Sequence, residues 1–388
     1  MLTFARSVGY AVVKKPEGYT TAKVDQIIQE YEKKSANEQQ STVKQYPNII
    51  TVVNETFADI KVLGDFKTNE DYMPYFHSLK KNCVTGYTYA SIVGGQTANT
   101  EFELLTGNTL GFLSAGTTAF QLYIHGQMPS LVSNLKAEGY SGNKAMHPFN
   151  PYNYNRPAVY KDFGFTDFID KFDFPKNVKR VREYISDEAN VDRIISEYEK
   201  NRKKTDQPFY MYNMTIQNHS PYDKDAANFK QPIKIESSKY DAEANRYLNL
   251  IKYSDDSLKQ LTSYFEKCKE PTIILFLGDH QPRLTDEFMN KITNGQYQTW
   301  SSEQMMKRYQ VPFVIWANYD IKEQHIEKTS MNYIQSILTK TAGVKMTGYQ
   351  RFLNEVRKEV PTITSQGYWG KNGKFYQIND KGSPYYGI

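Results

Sequence analysis

The run Thr272-Ile273-Ile274-Leu275-Phe276-Leu277 limits the fold more tightly than any other stretch of this chain. Apolar residues follow one another from Ile273 to Leu277 with no polar alternation, the pattern of a strand buried on both faces in a parallel sheet. Gly278 ends the run, and Asp279-His280 follow where the chain leaves the sheet. Open α/β sheets bind ligands beyond the carboxyl ends of their strands. Read alone, the Asp279-His280 pair is either two metal ligands or a turn with a capping Asp and an exposed His.

Further strands are expected at 47–53, at 209–217 and at 311–317. The first ends at Asn54-Glu55-Thr56-Phe57, the second at Asn218-His219-Ser220-Pro221-Tyr222. Amphipathic periodicity places helices at 21–34, 128–139, 187–202, 242–268 and 331–342. Strands alternating with helices predict an α/β fold with a mainly parallel sheet and helices on both faces. From Gln366 onward, aromatic and polar residues alternate between Gly and Asp-Lys-Gly turns, which predicts a small C-terminal antiparallel subdomain. The expected organisation is a helical leader and linker over 1–46, a catalytic domain over 47–345 and the small subdomain over 346–388. The leader opens with a Lys14-Lys15-Pro16 turn closed at Gly18, and 35–44 is polar and linker-like.

Between the strands lie two polar segments. Gly94-Gly95-Gln96-Thr97-Ala98-Asn99-Thr100-Glu101 is a glycine hinge entering a helix, and on its own Thr97 reads as that helix's N-cap. Residues 145–156, which include His147, Tyr154 and Arg156, carry prolines and asparagines and are expected to be irregular. Arg156 there reads as a solvated loop charge. Long irregular loops inside compact domains often carry function. His77, His125 and His325 have no matching partners and are assigned to surface or packing.

Composition excludes more than it selects. A net charge of +5 and no basic run interleaved with aromatics exclude a nucleic-acid surface. The mild positive charge favours an anionic membrane surface. No run of 18 apolar residues is present, so no transmembrane helix is expected, and the first residues do not resemble a signal peptide. Cys83 and Cys268 lack metal-ligand spacing, and their pairing cannot be read from the sequence. Glu55, Asp279, His280 and the Thr97 hydroxyl together form a mixed oxygen and nitrogen set suited to Mn²⁺, Mg²⁺ or Zn²⁺.

The motifs Asn54-Glu55-Thr56-Phe57, Gly95-Gln96-Thr97-Ala98-Asn99-Thr100-Glu101, Asn218-His219-Ser220-Pro221-Tyr222 and Gly278-Asp279-His280 resemble, in the same order, those of the lipoteichoic acid synthases. These are phosphoglycerol transferases with a sulfatase or alkaline-phosphatase-like fold. The resemblance covers about residues 46–345 and the leader's Lys-Lys-Pro-x-Gly-Tyr. Its wording is similar to a streptococcal branch that adds glycerol phosphate to a rhamnose cell-wall polysaccharide. It implies that Glu55, Thr97, Asp279 and His280 hold one divalent ion, most readily Mn²⁺, and that Thr97 is the nucleophile. It also implies that His147, Tyr154 and Arg156 bind the phosphoglycerol group, with Tyr154 standing where the synthases have Trp. His219 is then a hydrogen-bonding or acid/base group beside the phosphate.

The implied donor is phosphatidylglycerol. The favoured acceptor is a cell-wall rhamnose polysaccharide; the alternative is lipoteichoic acid polymerase or primase activity. The implied setting is the outer face of a cell membrane, as the extracellular domain of a multi-pass protein, a monomer when soluble. A sulfatase would need Cys or Ser followed by x-Pro-x-Arg, whereas Cys83 precedes Val84-Thr85-Gly86-Tyr87. A reading of another class is a non-catalytic polysaccharide-binding domain that uses the chain's 31 Tyr and 21 Phe.

Overall fold

The computed structural model describes residues 15, 18–36, 45–114 and 116–386. Most of the leader's Lys14-Lys15-Pro16 turn and of the polar 35–44 stretch lies outside them. The strands in chain order are β1 (Asn48–Asn54), β2 (Cys83–Tyr89), β3 (Ser141–Met146), β4 (Asp167–Ile169), β5 (Arg180–Val181), β6 (Tyr184–Ile185), β7 (Phe209–Met214), β8 (Thr272–Gly278), β9 (Gln310–Ala317), β10 (Gln324–Ser330), β11 (Thr362–Thr364), β12 (Gly367–Trp369) and β13 (Phe375–Tyr376). Eight of them form one sheet in the order β10-β2-β9-β8-β1-β7-β3-β4. Every neighbouring pair is parallel except those made by β9, which runs against both β2 and β8. The expected mainly parallel α/β sheet is the one observed.

The apolar runs behave as their lack of alternation predicts. On β1, Ile49 and Val53 enter one core layer while Ile50 and Val52 enter the other; on β8, Ile273, Leu275 and Leu277 oppose Ile274 and Phe276. One layer is closed by helices Thr97–Thr106, Leu131–Ala137, Arg156–Phe163 and Met331–Thr341. The other is closed by Asp187–Arg202, Ala242–Phe265 and Asp286–Thr293. Burial on both faces is what makes the central strands read as continuous apolar sequence.

The predicted irregular segment at 145–156 needs correction. Ala145 and Met146 complete β3, and Arg156 is the first residue of a helix, followed by Pro157 at a position that tolerates a missing N–H. Between them 147–152 is irregular and Asn153–Asn155 is a 3-10 turn that leads into the helix. Helix 128–139 shortens to Leu131–Ala137, because Ser130 forms a capping box with Ser133 and starts it later.

The C-terminal residues form the expected antiparallel unit, β11-β12-β13. It docks on the β10–β2 side, where Ser365 Oγ donates to Ser91 O at 2.8 Å and Trp369 lies 5.1 Å from the Tyr89 ring. Helix Gly348–Glu359 meets the leader helix Thr21–Ala36 through Tyr31 and Phe352, whose rings are 5.6 Å apart. Cys83 and Cys268 are both free. No helix among the described residues is long and apolar enough to cross a membrane.

Candidate active site

Parallel register brings the chemistry together. Asn54 pairs with Gly278, so the next residues, Glu55 and Asp279, emerge side by side from β1 and β8. On the other flank of β1, Val53 pairs with Met214 of β7, and Asn213 pairs with Met146 of β3. His147 therefore follows β3 and His219 follows β7 at the same edge.

Glu55, Asp279 and His280 are buried, and one ligand atom from each lies within 4.8 Å of the others. Backbone groups hold them. The Thr56 and His280 N–H groups both donate to Asp279 Oδ1, at 2.6 and 2.8 Å, and the Glu55 N–H donates to Thr215 Oγ1 at 2.9 Å. His280 Nδ1 lies 3.0 Å from Gln281 O, which fixes its proton there and leaves Nε2 as the lone-pair nitrogen. Gly278 is required by space, since a Cβ there would stand 1.8 Å from the Phe57 carbonyl oxygen.

Two atoms of this cluster, Asp279 Oδ2 and His280 Nε2, are buried without a hydrogen-bond partner. They lie 3.2 Å apart but without hydrogen-bond geometry. Buried polar atoms are normally paired, and an unpaired carboxylate oxygen facing an imidazole lone pair is costly unless a cation sits between them. Burial and the adjacent Asp279 push the Glu55 carboxyl up from its ordinary value, the response of crowded carboxylates that lack a counter-ion. The donors fit a divalent cation such as Mn²⁺, Mg²⁺ or Zn²⁺.

Thr97 opens the helix Thr97–Thr106 beside this cluster. The N-cap is Gln96, in left-handed backbone at φ 65°, and no side chain caps this helix. The capping role read for Thr97 alone is therefore not its role; Thr97 lines the cavity instead. Two ties set its position. Thr100 Oγ1 donates to Asp279 O at 2.8 Å, and the Gly94 N–H donates to Gln281 O at 2.9 Å.

The remaining predicted residues line the same cavity of about 320 Å³: His147, Tyr154, Arg156 and His219 join Glu55, Thr97 and His280. Arg156 is not a solvated loop charge. Its guanidinium is buried, with Nε and Nη2 donating to Glu101 Oε1 at 3.1 and 2.7 Å, and it lies 5.2 Å from the Tyr154 ring centroid. His147 Nδ1 is 3.0 Å from Met214 O, and burial together with Arg156 holds this imidazole well below its ordinary value, hence neutral. His219 Nδ1 is 2.7 Å from Ser220 O, and its ring stacks on Phe149 at 6.2 Å. His77, His125 and His325 lie outside the cavity lining, as expected.

The family profile for sulfatases matches residues 47–344. The chain belongs to the sulfatase family. A Rhizobium meliloti relative, whose name assigns it provisionally to cyclic beta-1,2-glucan modification, is 31% identical over 381 residues. That alignment covers 96% of this chain and 57% of the relative, so this chain spans little more than half of that protein's length. Among solved structures, Streptococcus pyogenes phosphoglycerol transferase GacH in complex with sn-glycerol-1-phosphate superposes with a TM-score of 0.73 at 20% identity, covering 90% of this chain and 89% of that one. The lipoteichoic acid synthase LtaP from Listeria monocytogenes gives 0.66 at 19%, covering 91% and 93%. At such identities the two structures establish the shared fold.

Within this sulfatase-family site, the sequence left several neighbours unassigned. Glu101 is the hub of the Arg156 side: beyond the arginine, its Oε2 accepts from Tyr160 Oη at 2.5 Å and from Tyr212 Oη at 3.1 Å. Its spacing of four from Thr97 puts both on one helix face, a signal present in the sequence. Tyr160 and Tyr212 arrive from a helix and a strand distant in the chain, and nothing local marks them. Phe149 and Arg283 also line the cavity without having been singled out.

Proposed function

We propose that this chain transfers glycerol phosphate from phosphatidylglycerol to a hydroxyl of a cell-envelope glycan, through a glycerophosphoryl-Thr97 intermediate. The observation that carries it is the Thr97 hydroxyl, held at a helix start in the same cavity as a buried Glu55-Asp279-His280 cluster with two orphaned ligand atoms. The phosphoglycerol transferase activity of the streptococcal structural relative and the glycan named for the Rhizobium relative support the transferred group and the acceptor class.

Glu55, Asp279, His280 and Thr97 would hold the cation. When bound, it supplies charge neutralisation at the phosphoryl group and makes the threonine hydroxyl easier to deprotonate. In the first step a Thr97 Oγ–phosphorus bond forms and the bond to the diacylglycerol oxygen breaks. Diacylglycerol leaves as the alcohol with the proton that the Thr97 hydroxyl gives up, relayed by way of His219, and in the second step the acceptor's proton returns to Thr97 by the same route. In the second step an acceptor hydroxyl bonds to phosphorus, the Thr97 ester breaks and the threonine hydroxyl is restored.

Glu101 takes Nε and Nη2 of Arg156, and Nη1 donates one N–H to Asn153 O at 3.4 Å, which leaves its second N–H for a phosphoryl oxygen. Neutral His147, with its proton on Nδ1, offers Nε2 as an acceptor for a glycerol hydroxyl. Mn²⁺ is the favoured ion.

Intact-mass measurement after incubation with phosphatidylglycerol and Mn²⁺ tests this. Wild type gains the mass of a glycerophosphoryl group and Thr97→Ala does not; an adduct persisting in the variant overturns the mechanism. Offering the adduct a rhamnose polysaccharide, a cyclic β-1,2-glucan or a polyglycerol phosphate chain then identifies the acceptor. The first is our favoured one, and discharge by the third alone assigns a teichoic acid polymerase instead.

A further inference from the structure

The most exposed large apolar side chains of the described residues, Tyr152 at 78% and Phe172 at 73%, stand on neighbouring loops. Those loops follow β3 and β4, whose ends pair through Met146 and Ile169. The Lys171 N–H reaches Phe149 O at 3.5 Å, so the two loops run side by side at the edge of the sheet that carries the cavity. Lys171 Nζ lies 5.0 Å from the Phe172 ring centroid and 6.0 Å from that of Phe149, which lines the cavity. Asp170 and Asp173 are engaged in capping this turn: Asp170 Oδ1 accepts from the Phe172 N–H at 2.7 Å, and Asp173 Oδ2 from the Asp170 N–H at 2.9 Å. Lys171 is the cation that stands among the aromatics.

We propose that Tyr152, Phe172 and Lys171 form a membrane-docking tip that seats the cavity mouth on the surface of a bilayer rich in anionic phospholipid. The partner follows from size and from chemistry, and it rests on the reading of phosphatidylglycerol as donor. A cavity of about 320 Å³, lined in part by Glu55, His147, Arg156, His219 and His280, is the size for a glycerophosphoryl group and too small for two acyl chains as well. The chains must stay in the lipid while the headgroup enters, so the mouth has to meet the bilayer. Aromatic rings and a lysine at loop tips are the side chains that partition to the headgroup region, the rings burying apolar area and the ammonium staying with the phosphates. A glycan platform would instead hold its rings flat and half-buried beside fixed donors, whereas Tyr152 and Phe172 project into solvent.

Co-sedimentation of the 388-residue chain with vesicles of phosphatidylglycerol, or of phosphatidylcholine alone, reads the surface directly. Wild type binds the anionic vesicles more tightly, and Tyr152→Ser/Phe172→Ser weakens that binding by at least about tenfold. Formation of the Thr97 adduct from vesicle lipid falls by a similar factor, while adduct formation from water-soluble dihexanoyl phosphatidylglycerol is unchanged. Equal vesicle binding by wild type and variant overturns the proposal. So does equal slowing on both donors, or a loss confined to transfer from the adduct to glycan, which assigns the tip to acceptor capture. If wild type forms no adduct from either lipid while the vesicle binding difference stands, the donor assignment fails and the docking tip survives.

Discussion

The two walls of the cavity are built on opposite terms. On the wall made by β1 and β8, backbone N–H groups fix Asp279 from behind while Asp279 Oδ2 and His280 Nε2 face forward without partners. On the wall made by β3, β7 and the helix that Arg156 opens, the corresponding groups are already engaged: Arg156 on Glu101, His147 on Met214 O, His219 on Ser220 O. The first wall is incomplete without a cation. The second is complete, and offers a ligand only the atoms its internal partners leave over. On the proposed function, a transferred phosphoryl group would sit between a wall that supplies charge when loaded and a wall whose orientation is set in advance.

Removing a ligand from the open wall should have the largest effect. Asp279→Ala should take bound metal from about one ion per chain to none by elemental analysis, and slow adduct formation by at least about 1,000-fold. Added Mn²⁺ should raise the Tm of wild type and leave that of the variant where it was. The closed wall should fail differently. Arg156→Ala should keep its metal, lose about 3–5 kcal/mol of stability because the buried Glu101 loses its counter-charge and keeps only the Tyr160 and Tyr212 hydroxyls, and transfer about 100-fold more slowly. Adding Glu101→Gln to that variant should recover part of the stability in denaturant titrations and none of the rate. Metal loss in Arg156→Ala would break the comparison.

A subtler break is Gly278→Ala, where the new Cβ meets the Phe57 carbonyl and pushes the ends of β1 and β8 apart. Mn²⁺ affinity, followed by titration calorimetry, should fall by about 10–100-fold. The smallest effect concerns the support behind the open wall, where Asp59 accepts from Tyr72 and Tyr87 and faces His77. Hydrogen bonding to Asp59 and Asp71 raises His77 to about 9. Its folded value lies above its unfolded one, so the stability it contributes is complete below about pH 6.5 and is lost as pH rises through about 9. In thermal melts between pH 6 and 10, His77→Ala should flatten this decline without changing metal content.

The open wall was legible in the sequence because its ligands sit at the ends of strands buried on both faces, and such strands announce themselves as apolar runs. The strands away from the centre did not. β2, Cys-Val-Thr-Gly-Tyr-Thr-Tyr, carries a glycine and two threonines, and β10, Gln-His-Ile-Glu-Lys-Thr-Ser, is an edge strand polar at every position but Ile326. β2 is placed by pairing with β9, and β10 by pairing with β2, and no local pattern encodes either. On the closed wall the residue types were visible but the burial was not. Arg156 precedes a proline among asparagines, and only Glu101, 55 positions earlier, makes it an interior charge. Thr97 illustrates the converse. Its helix start was readable, yet whether its hydroxyl capped that helix or faced a cavity depended on Gln96 adopting left-handed backbone.

The order of strands also acts as a ruler. The Asp279-His280, Glu55, His219 and His147 positions follow β8, β1, β7 and β3, four adjacent strands of the sheet. With strands about 4.8 Å apart, they span roughly 14 Å along one line. A ligand anchored at the Asp279-His280 end and laid along that line would run past β7 and β3 toward β4, the last strand on that side, and Phe172. If the donor is the one proposed above, headgroups longer than glycerol phosphate would protrude at the tip, and the sheet's own spacing would set the length of what the cavity can carry.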